Sequence, residues 1–207
     1  MSLIRIGVLI SGNGTNLQAL IDNIDLGKIN GKICVVISDR KDAYGLIRAR
    51  NHGIEALFIN KKEYLNDEDF NKRVLDELRN RDVQLIVLAG YLRILSSKII
   101  NEYQNRVINI HPSLIPSFCG KGYYGEKVHK AVLEYGAKVT GATVHFVDEG
   151  ADTGPIIFQK SVEVNNNDTL ESLQERVLKV EYALLSEAVK LFCEGRLKVS
   201  GRKVWGE

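Results

Sequence analysis

Short apolar runs alternate with longer segments of helical periodicity through the first half of the chain. The runs are rich in β-branched residues and apolar at consecutive positions, which is typical of strands buried on both faces of a parallel sheet. They occupy Ile4–Ile10, Ile33–Ser38, Ala56–Ile59, Leu85–Ala89 and Val107–Ile110. The segments between them predict helices at Leu17–Asp25, Tyr44–Asn51, Asp67–Arg81 and Ser96–Tyr103. This alternation favours βαβ units with right-handed crossovers.

The second half of the chain predicts one more pair of strands. A short helix is predicted at Glu126–Tyr135, and strands are predicted at Ala142–Val147 and Ile156–Val164. A turn-rich stretch separates the two strands, so we expect them to pair in antiparallel fashion and to make the sheet mixed.

A long helix is predicted from Thr169 to Cys193. Asp168 is the predicted N-cap, Glu171 stands at the capping-box spacing, and Gly195 suits the C-terminal end. Together the elements predict an α/β chain with a Rossmann-like three-layer fold, a mostly parallel, mixed central sheet and a long C-terminal helix. The sequence contains no repeat and no obvious linker, and we expect one domain over residues 1–207.

Composition and charge narrow the class of protein. The 28 Lys and Arg residues almost balance the 26 Asp and Glu residues, and neither half is strongly basic, which argues against a nucleic-acid-binding surface. The three cysteines are far apart and form no Cys-x-x-Cys, which argues against a disulfide scaffold and a zinc site. The sequence lacks a signal-peptide pattern and any run of eighteen apolar residues. We therefore expect a cytoplasmic protein with small-molecule substrates, no nucleic-acid or membrane partner and no metal, as a monomer or weak homodimer.

A glycine-containing loop, Ser11–Asn16, lies between the first predicted strand and the first predicted helix. Ligands of open parallel sheets bind beyond the carboxyl ends of the strands. Glycines let backbone N–H groups approach an anion, and the following helix N-terminus adds its positive dipole. Leu17 stands where a dinucleotide fingerprint needs its third glycine, and the Gly-Lys-Ser/Thr of a P-loop is absent. We favour a phosphate or carboxylate site over a turn that binds nothing.

A second group of polar residues lies at the end of the fifth predicted strand. Asn109 and His111 are two positions apart, so their side chains project to the same face. An amide N–H and an imidazolium N–H aimed at one point stabilise a developing oxyanion. The loop that follows the next predicted strand adds the carboxylates Asp148, Glu149 and Asp152, and a carboxylate beside a histidine raises the pKa of that histidine.

The three other histidines fit supporting positions. His52 and His129 lie on predicted helices, and we expect both at the surface. His145 lies in a predicted strand next to the carboxylate loop, where we expect it to support the site or the core rather than to act in catalysis.

Four segments carry a resemblance to a known family. They are Ser11–Asn16, Leu88–Leu95, Asn109–Pro116 and His145–Pro155. In this order they resemble the folate-dependent formyltransferases, in particular the branch whose acceptor is 5′-phosphoribosylglycinamide, and the resemblance runs from about Ile4 to Leu197. It implies transfer of the formyl group of 10-formyltetrahydrofolate, a co-substrate, to the amine of that acceptor in purine biosynthesis. It also implies an N-terminal half with phosphate-binding βαβ units and a C-terminal half that binds folate.

The resemblance assigns binding roles to individual positions. Gly14, Thr15 and Asn16 correspond to residues that hold the ribosyl phosphate, and Glu181 corresponds to a glutamate that binds the glycinamide end. The residues implied to bind folate, largely through backbone groups, are Leu92, Arg93, Ile94, Leu95, Asn109, Asp148, Glu149, Gly150 and Ala151.

The resemblance also implies a catalytic set. Asn109 and His111 would polarise the formyl carbonyl and stabilise the oxyanion. Asp152 would keep His111 protonated and help to pass the proton to the departing folate nitrogen.

Two other interpretations remain open at this point. Formyltetrahydrofolate hydrolase and methionyl-tRNA formyltransferase share the folate chemistry, but the first usually carries an additional N-terminal domain and the second a basic RNA-binding extension. A nucleotide-binding module without catalysis would use Ser38–Lys41 for a ribose or phosphate, but it leaves Asn109 and His111 unexplained.

Overall fold

The apolar runs of the first half form parallel strands close to the predicted positions. The computed structural model describes residues 3–206, and it divides into two units, residues 1–108 and 109–207. In the first unit the strands are β1 (Ile4–Ile10), β2 (Gly31–Ser38), β3 (Ala56–Phe58), β4 (Leu85–Leu88) and β5 (Val107–His111), which ends in the second unit. They lie in the order β3-β2-β1-β4-β5. The α/β class and the mostly parallel sheet are therefore confirmed, whereas one domain over residues 1–207 stays a prediction.

The helices of the first unit follow the predicted ranges to within about a turn. They are α1 (Thr15–Asp25), α2 (Tyr44–Asn51), α3 (Asp67–Arg79) and α4 (Ser97–Glu102), and a 3₁₀ turn occupies Lys61–Glu63. Helix α3 begins at an N-cap because the Asn66 side chain accepts a hydrogen bond from the backbone N–H of Asp69 at 2.8 Å. It stops two residues before the predicted end, and Asp82 then takes a left-handed conformation with φ 48°.

The parallel register brings three strand ends to one edge of the first unit. Ile10 of β1 is paired with Ser38 of β2, and Leu9 of β1 with Leu88 of β4. The segments that follow these three strands therefore leave the sheet side by side, at the carboxyl edge where α/β proteins bind ligands.

The second unit extends the pattern with antiparallel pairs. Helix α5 (Glu126–Tyr135) and the long helix α6 (Leu170–Cys193) accompany the antiparallel strands β6 (Val139–Phe146) and β7 (Ile156–Glu163). A final hairpin, β8 (Leu197–Ser200) and β9 (Lys203–Gly206), was not predicted from the sequence. The order is β5-β6-β7-β9-β8, which confirms the mixed sheet and the long C-terminal helix.

The predicted N-cap of the long helix was wrong. Thr169 caps α6: its hydroxyl accepts from the backbone N–H of Ser172 at 3.2 Å, and the Ser172 hydroxyl accepts from the backbone N–H of Thr169 at 3.0 Å. The carboxylate of Asp168 instead forms an ion pair with Arg176 and accepts from the backbone N–H of Asn165 at 2.7 Å. The capping box therefore starts one residue later than predicted and does not use Glu171 as its partner.

Within residues 3–206, no helix combines the length and the apolar character needed to cross a bilayer.

Candidate active site

The predicted anion loop leads into a helix whose N-cap residue is a glycine. Gly14 precedes α1 in a left-handed conformation with φ 71°, where an L side chain would be strained. Gly14 has no side chain with which to cap the helix. All residues of the first helical turn lie within the described part of the chain, and none of them is acidic. The first N–H groups of α1, beginning at Thr15 and Asn16, are therefore oriented as an anion site requires. Asn16 is 7% exposed and Thr15 is half-buried.

Helix α2 holds this loop in place. The backbone N–H of Gly45 donates to the Gly12 carbonyl at 3.1 Å. A Cβ placed on Gly14 would lie 2.6 Å from the Gly45 Cα, so the two backbones approach as closely as glycines permit. Arg48 donates from Nε to the Asn13 carbonyl at 2.9 Å and from Nη2 to the Asn13 Oδ1 at 3.2 Å. The loop is thus fixed by α2, which also places a cation beside it.

The segment after β4 contacts the same loop. The backbone N–H of Ser11 donates to the Gly90 carbonyl at 3.0 Å, and the backbone N–H of Leu92 donates to the Ser11 hydroxyl at 2.9 Å. Leu92 and Ile94 are 42% and 73% exposed, whereas Leu95 is buried. The structure therefore brings two predicted binding segments of the first unit together and leaves apolar side chains of the second segment open to a ligand.

Asp152 lies at the centre of the predicted catalytic residues in the second unit. Its Oδ2 is 3.5 Å from Nδ1 of His111, and its Oδ1 is 3.6 Å from Nε2 of His145. Oδ2 also accepts from the backbone N–H of Gly120 at 2.8 Å. Asp152 adopts φ 59°, a conformation that is uncommon for a residue with a side chain and is found most often in turns and at functional sites.

His145 connects Asn109 to this carboxylate. The Nδ1 of His145 lies 2.8 Å from the Phe146 carbonyl, which can only accept, so this nitrogen carries a proton. The Nε2 lies 3.1 Å from the Asn109 amide nitrogen and, in the neutral ring, accepts an N–H from it. Asn109, His111, Asp152 and His145 therefore form one cluster of polar contacts, which we call the Asp152 cluster. Sequence reasoning gave His145 a supporting place but not this bridging contact.

Burial decides the protonation of His111. The ring is 4% exposed, and its Nε2 donates to the Phe118 carbonyl at 2.9 Å. Burial lowers the pKa of His111 below its ordinary value, and it outweighs the carboxylate of Asp152 and the Phe118 carbonyl, both of which raise the pKa. Asp152 therefore acts on the pKa of His111 in the predicted direction, but the net shift is downward because burial outweighs it.

The pKa of Asp152 shifts downward despite burial. Burial acts to raise the pKa of this carboxyl, but the neighbouring rings of His145 and His111 and the N–H of Gly120 together lower it below its ordinary value. Asp152 is therefore an anion at neutral pH, ready to stabilise a proton on either histidine.

The carboxylate loop is held by its own first residue. Asp148 accepts from the backbone N–H of Gly150 at 3.1 Å and from the Thr153 hydroxyl at 2.5 Å. Glu149, Gly150 and Ala151 are exposed. The loop therefore presents its backbone outward while Asp152 turns into the cluster.

Two further polar residues of the second unit are buried. Glu181 on α6 is 5% exposed. His129 on α5 is 2% exposed, so the prediction of a surface position was wrong. His129 stands next to Val128 and three residues before Val132, both fully buried, and therefore lies on the apolar face of its helix. This spacing was visible in the sequence. His52 is exposed, as predicted.

Among residues 3–206, no group of three or more His, Cys, Asp or Glu side chains is arranged to hold a metal ion.

Comparison with known proteins identifies the family of the chain. The family model described as formyl transferase matches residues 4–189. A chloroplastic phosphoribosylglycinamide formyltransferase of Arabidopsis thaliana is 41% identical over 94% of this chain and 67% of its own length. The enzyme of that name from Haemophilus influenzae is 40% identical over 94% of this chain and 90% of its own length. The crystal structure of glycinamide ribonucleotide transformylase 1 from Symbiobacterium toebii is 47% identical, with a TM-score of 0.94 over 99% of this chain and 94% of that chain.

Two observations show how far the similarity to these transferases extends. The chain spans 67% and 62% of the length of two plant relatives. A formyltetrahydrofolate deformylase from Pseudomonas syringae has the same fold with a TM-score of 0.89, but only 27% identity, and the chain covers 66% of it. The similarity to the deformylase is therefore weaker than the similarity to the transferases. The chain belongs to the formyl transferase family.

Proposed function

We propose that the chain transfers the formyl group of 10-formyltetrahydrofolate to the amine of 5′-phosphoribosylglycinamide, yielding formylglycinamide ribonucleotide and tetrahydrofolate. It is a one-carbon transferase of purine biosynthesis. The observation that carries this proposal is the Asp152 cluster, in which an amide, two imidazoles and a partly buried carboxylate contact one another in a member of the formyl transferase family.

The acceptor phosphate is proposed to bind at the start of α1. Gly14, Thr15 and Asn16 lie at the N-terminus of α1, where the N-cap forms no side-chain hydrogen bond, and Arg48 adds a positive charge next to Asn13. Charge-assisted hydrogen bonds from such donors to phosphate oxygens are among the stronger polar contacts that a protein makes.

Asn109 is proposed to polarise the formyl carbonyl. An amide NH₂ group has two N–H bonds, and one of them is directed at His145. This contact fixes the amide plane, so the second N–H is held in a fixed direction for the oxygen that becomes negative when the amine attacks. Preorganised donors of this kind stabilise the tetrahedral intermediate without reorganising during the reaction.

His111 is proposed to relay the proton. The neutral ring accepts a proton at Nδ1 from the attacking amine, and Asp152 stabilises the imidazolium that forms. The same proton then passes to the folate nitrogen as the carbon–nitrogen bond to folate breaks. Because the Phe118 carbonyl accepts the Nε2 N–H, the neutral ring has no second N–H for the substrate oxygen, and His111 can donate to that oxygen from Nδ1 only after it is protonated there.

The residues proposed to bind folate are Leu92, Arg93, Ile94 and Leu95, and also Asn109, Asp148, Glu149, Gly150 and Ala151. Exposed side chains at Leu92 and Ile94 support apolar contact with a pterin ring, and the exposed backbone of the carboxylate loop supports hydrogen bonding. Glu181 is proposed to bind the glycinamide end of the acceptor. A cytoplasmic location and a monomeric or weakly dimeric state stay predictions.

The proposed function is tested by following deformylation of 10-formyltetrahydrofolate by absorbance, with and without phosphoribosylglycinamide. Turnover that depends on the acceptor is the expected result. Equal turnover without acceptor would favour the deformylase, and no turnover in either condition would leave the nucleotide-binding module.

A further inference from the structure

The first unit contains an ion pair with a buried carboxylate that the proposed chemistry does not use. Asp39 directly follows β2, and its side chain is 5% exposed. Its Oδ2 accepts from Nε of Arg93 at 2.7 Å, and its Oδ1 accepts from the hydroxyl of Ser11 at 2.6 Å. One carboxylate therefore holds a residue of the anion loop and a residue of the segment after β4.

The Ser11 hydroxyl completes this connection. While it donates to Asp39, it accepts from the backbone N–H of Leu92 at 2.9 Å, and the Ser11 N–H donates to the Gly90 carbonyl. Ser11 is 2% exposed, so these bonds form away from competing water. The backbone of the segment after β4 is thereby fixed relative to the loop that starts α1.

Arg93 is held on a second side by an aromatic ring. Its guanidinium carbon lies 5.5 Å from the centroid of the Phe70 ring on α3. The side chain is only about a third exposed. Arg93 therefore anchors the 92–95 segment to the body of the unit rather than reaching freely into solvent.

We propose that Asp39 is a positioning residue that, through Ser11 and Arg93, holds the acceptor-binding loop and the folate-binding segment in their binding conformations together. This inference rests on the proposed function, since it takes residues 14–16 and 92–95 as binding segments. Loss of the Asp39 carboxylate then weakens the binding of both substrates, although Asp39 touches neither.

The test measures equilibrium dissociation constants for two probes, phosphoribosylglycinamide and the non-donating folate 5-formyltetrahydrofolate, together with kcat. In Asp39→Ala we expect both dissociation constants to rise about tenfold, the loss typical of one charge-assisted hydrogen bond. We expect kcat at saturation to stay within about threefold, because the Asp152 cluster is untouched. Ser11→Ala gives the same pattern in a variant with a smaller change in side-chain volume.

Asp39→Asn is the conservative rescue. An amide in this position can accept from Arg93 through its oxygen and donate to the Ser11 hydroxyl through its nitrogen, so both contacts survive. We expect affinities within about threefold of the wild type. Asp42→Ala removes an exposed carboxylate three residues away and is the matched control, with no change expected.

Three outcomes would overturn the inference. They are a rise in only one dissociation constant, a loss of kcat with both constants unchanged, and an Asn variant as impaired as the Ala variant. If the wild type binds neither probe, the proposed function itself fails and the inference with it. Normal wild-type binding with unchanged affinities in Asp39→Ala removes the inference alone.

Discussion

At the scale of single residues, Asp152 lies beside His111, the residue that is proposed to carry the transferred proton. Two histidines and a backbone N–H surround its carboxylate, and its pKa is lowered despite burial. An anion in this position stabilises the imidazolium of His111 as the proton arrives. The backbone of Asp152 itself adopts an uncommon left-handed conformation.

Replacing Asp152 by Asn is expected to lower kcat about 10²- to 10⁴-fold, the range typical of losing acid–base assistance. The amide keeps the shape and can still accept from Gly120, so the fold is expected to persist. Steady-state kinetics with circular dichroism would check this, and Glu163→Gln, an exposed carboxylate on β7, is the control. Turnover near that of the wild type would remove Asp152 from its role.

The buried His129 is expected to affect the pH dependence of the free energy of unfolding rather than the activity. Burial first, and the charge of His111 second, lower the pKa of His129 to about 4. The unfolded chain therefore takes up a proton at a pH where the folded chain does not. The associated stability is fully present above the ordinary value near 6.5 and is lost as the pH falls towards 4. Between pH 7 and pH 5 the loss is expected to be about 2 kcal/mol.

Urea unfolding of His129→Leu at both pH values tests this prediction. Removing the ring is expected to remove most of the pH-dependent loss, whereas His52→Leu, which changes an exposed histidine, is expected to keep it. An equal loss in wild type and His129→Leu would show that other groups cause the acid sensitivity.

Sequence reasoning identified Asn109, His111 and Asp152, because polar residues two positions apart at the end of a buried strand are conspicuous. It did not give the bridging contact of His145 or the lowered pKa of His111. Both depend on distances between segments far apart in the chain and on how much solvent the fold excludes, and neither is encoded in local spacing.

At the scale of elements, the turn from β1 into α1 depends on one glycine. A side chain on Gly14 would be strained at φ 71°, and its Cβ would lie 2.6 Å from the Gly45 Cα. Gly14→Ala must therefore push the loop away from α2 and turn the first N–H groups of α1 away from the acceptor phosphate. We expect the dissociation constant for phosphoribosylglycinamide to rise at least about tenfold.

Gly12→Ala is the matched control in the same loop. A Cβ on Gly12 meets no atom within 4 Å, and its φ lies outside the left-handed region. Calorimetric titration of both variants is expected to show Gly12→Ala within about threefold of the wild type. Equal loss in both variants would mean that the close approach to Gly45 does not shape the site.

Element boundaries were predicted well where hydrophobic periodicity defines them and less well where side-chain contacts do. Helix α2 begins and ends at the predicted residues, and its buried residues lie within the predicted range. The start of α6 was misplaced by one residue because Arg176, two turns along the helix, engages Asp168. The β8–β9 hairpin was missed because its strands are only four residues each and mostly exposed.

At the scale of the whole molecule, the two units contribute different chemistry. The first unit supplies the anion loop, fixed by α2 and by the Asp39 ion pair. The second unit supplies the Asp152 cluster and the carboxylate loop. The overall class and strand pattern followed from the sequence because alternating buried runs and amphipathic helices have few ways to pack.

The most direct measurement is a single turnover with 10-formyltetrahydrofolate labelled in the formyl carbon and phosphoribosylglycinamide in excess. Recovery of the label in formylglycinamide ribonucleotide, in step with the loss of label from folate, is the predicted result. Label recovered as formate, with the acceptor unchanged, would contradict formyl transfer and identify hydrolysis instead.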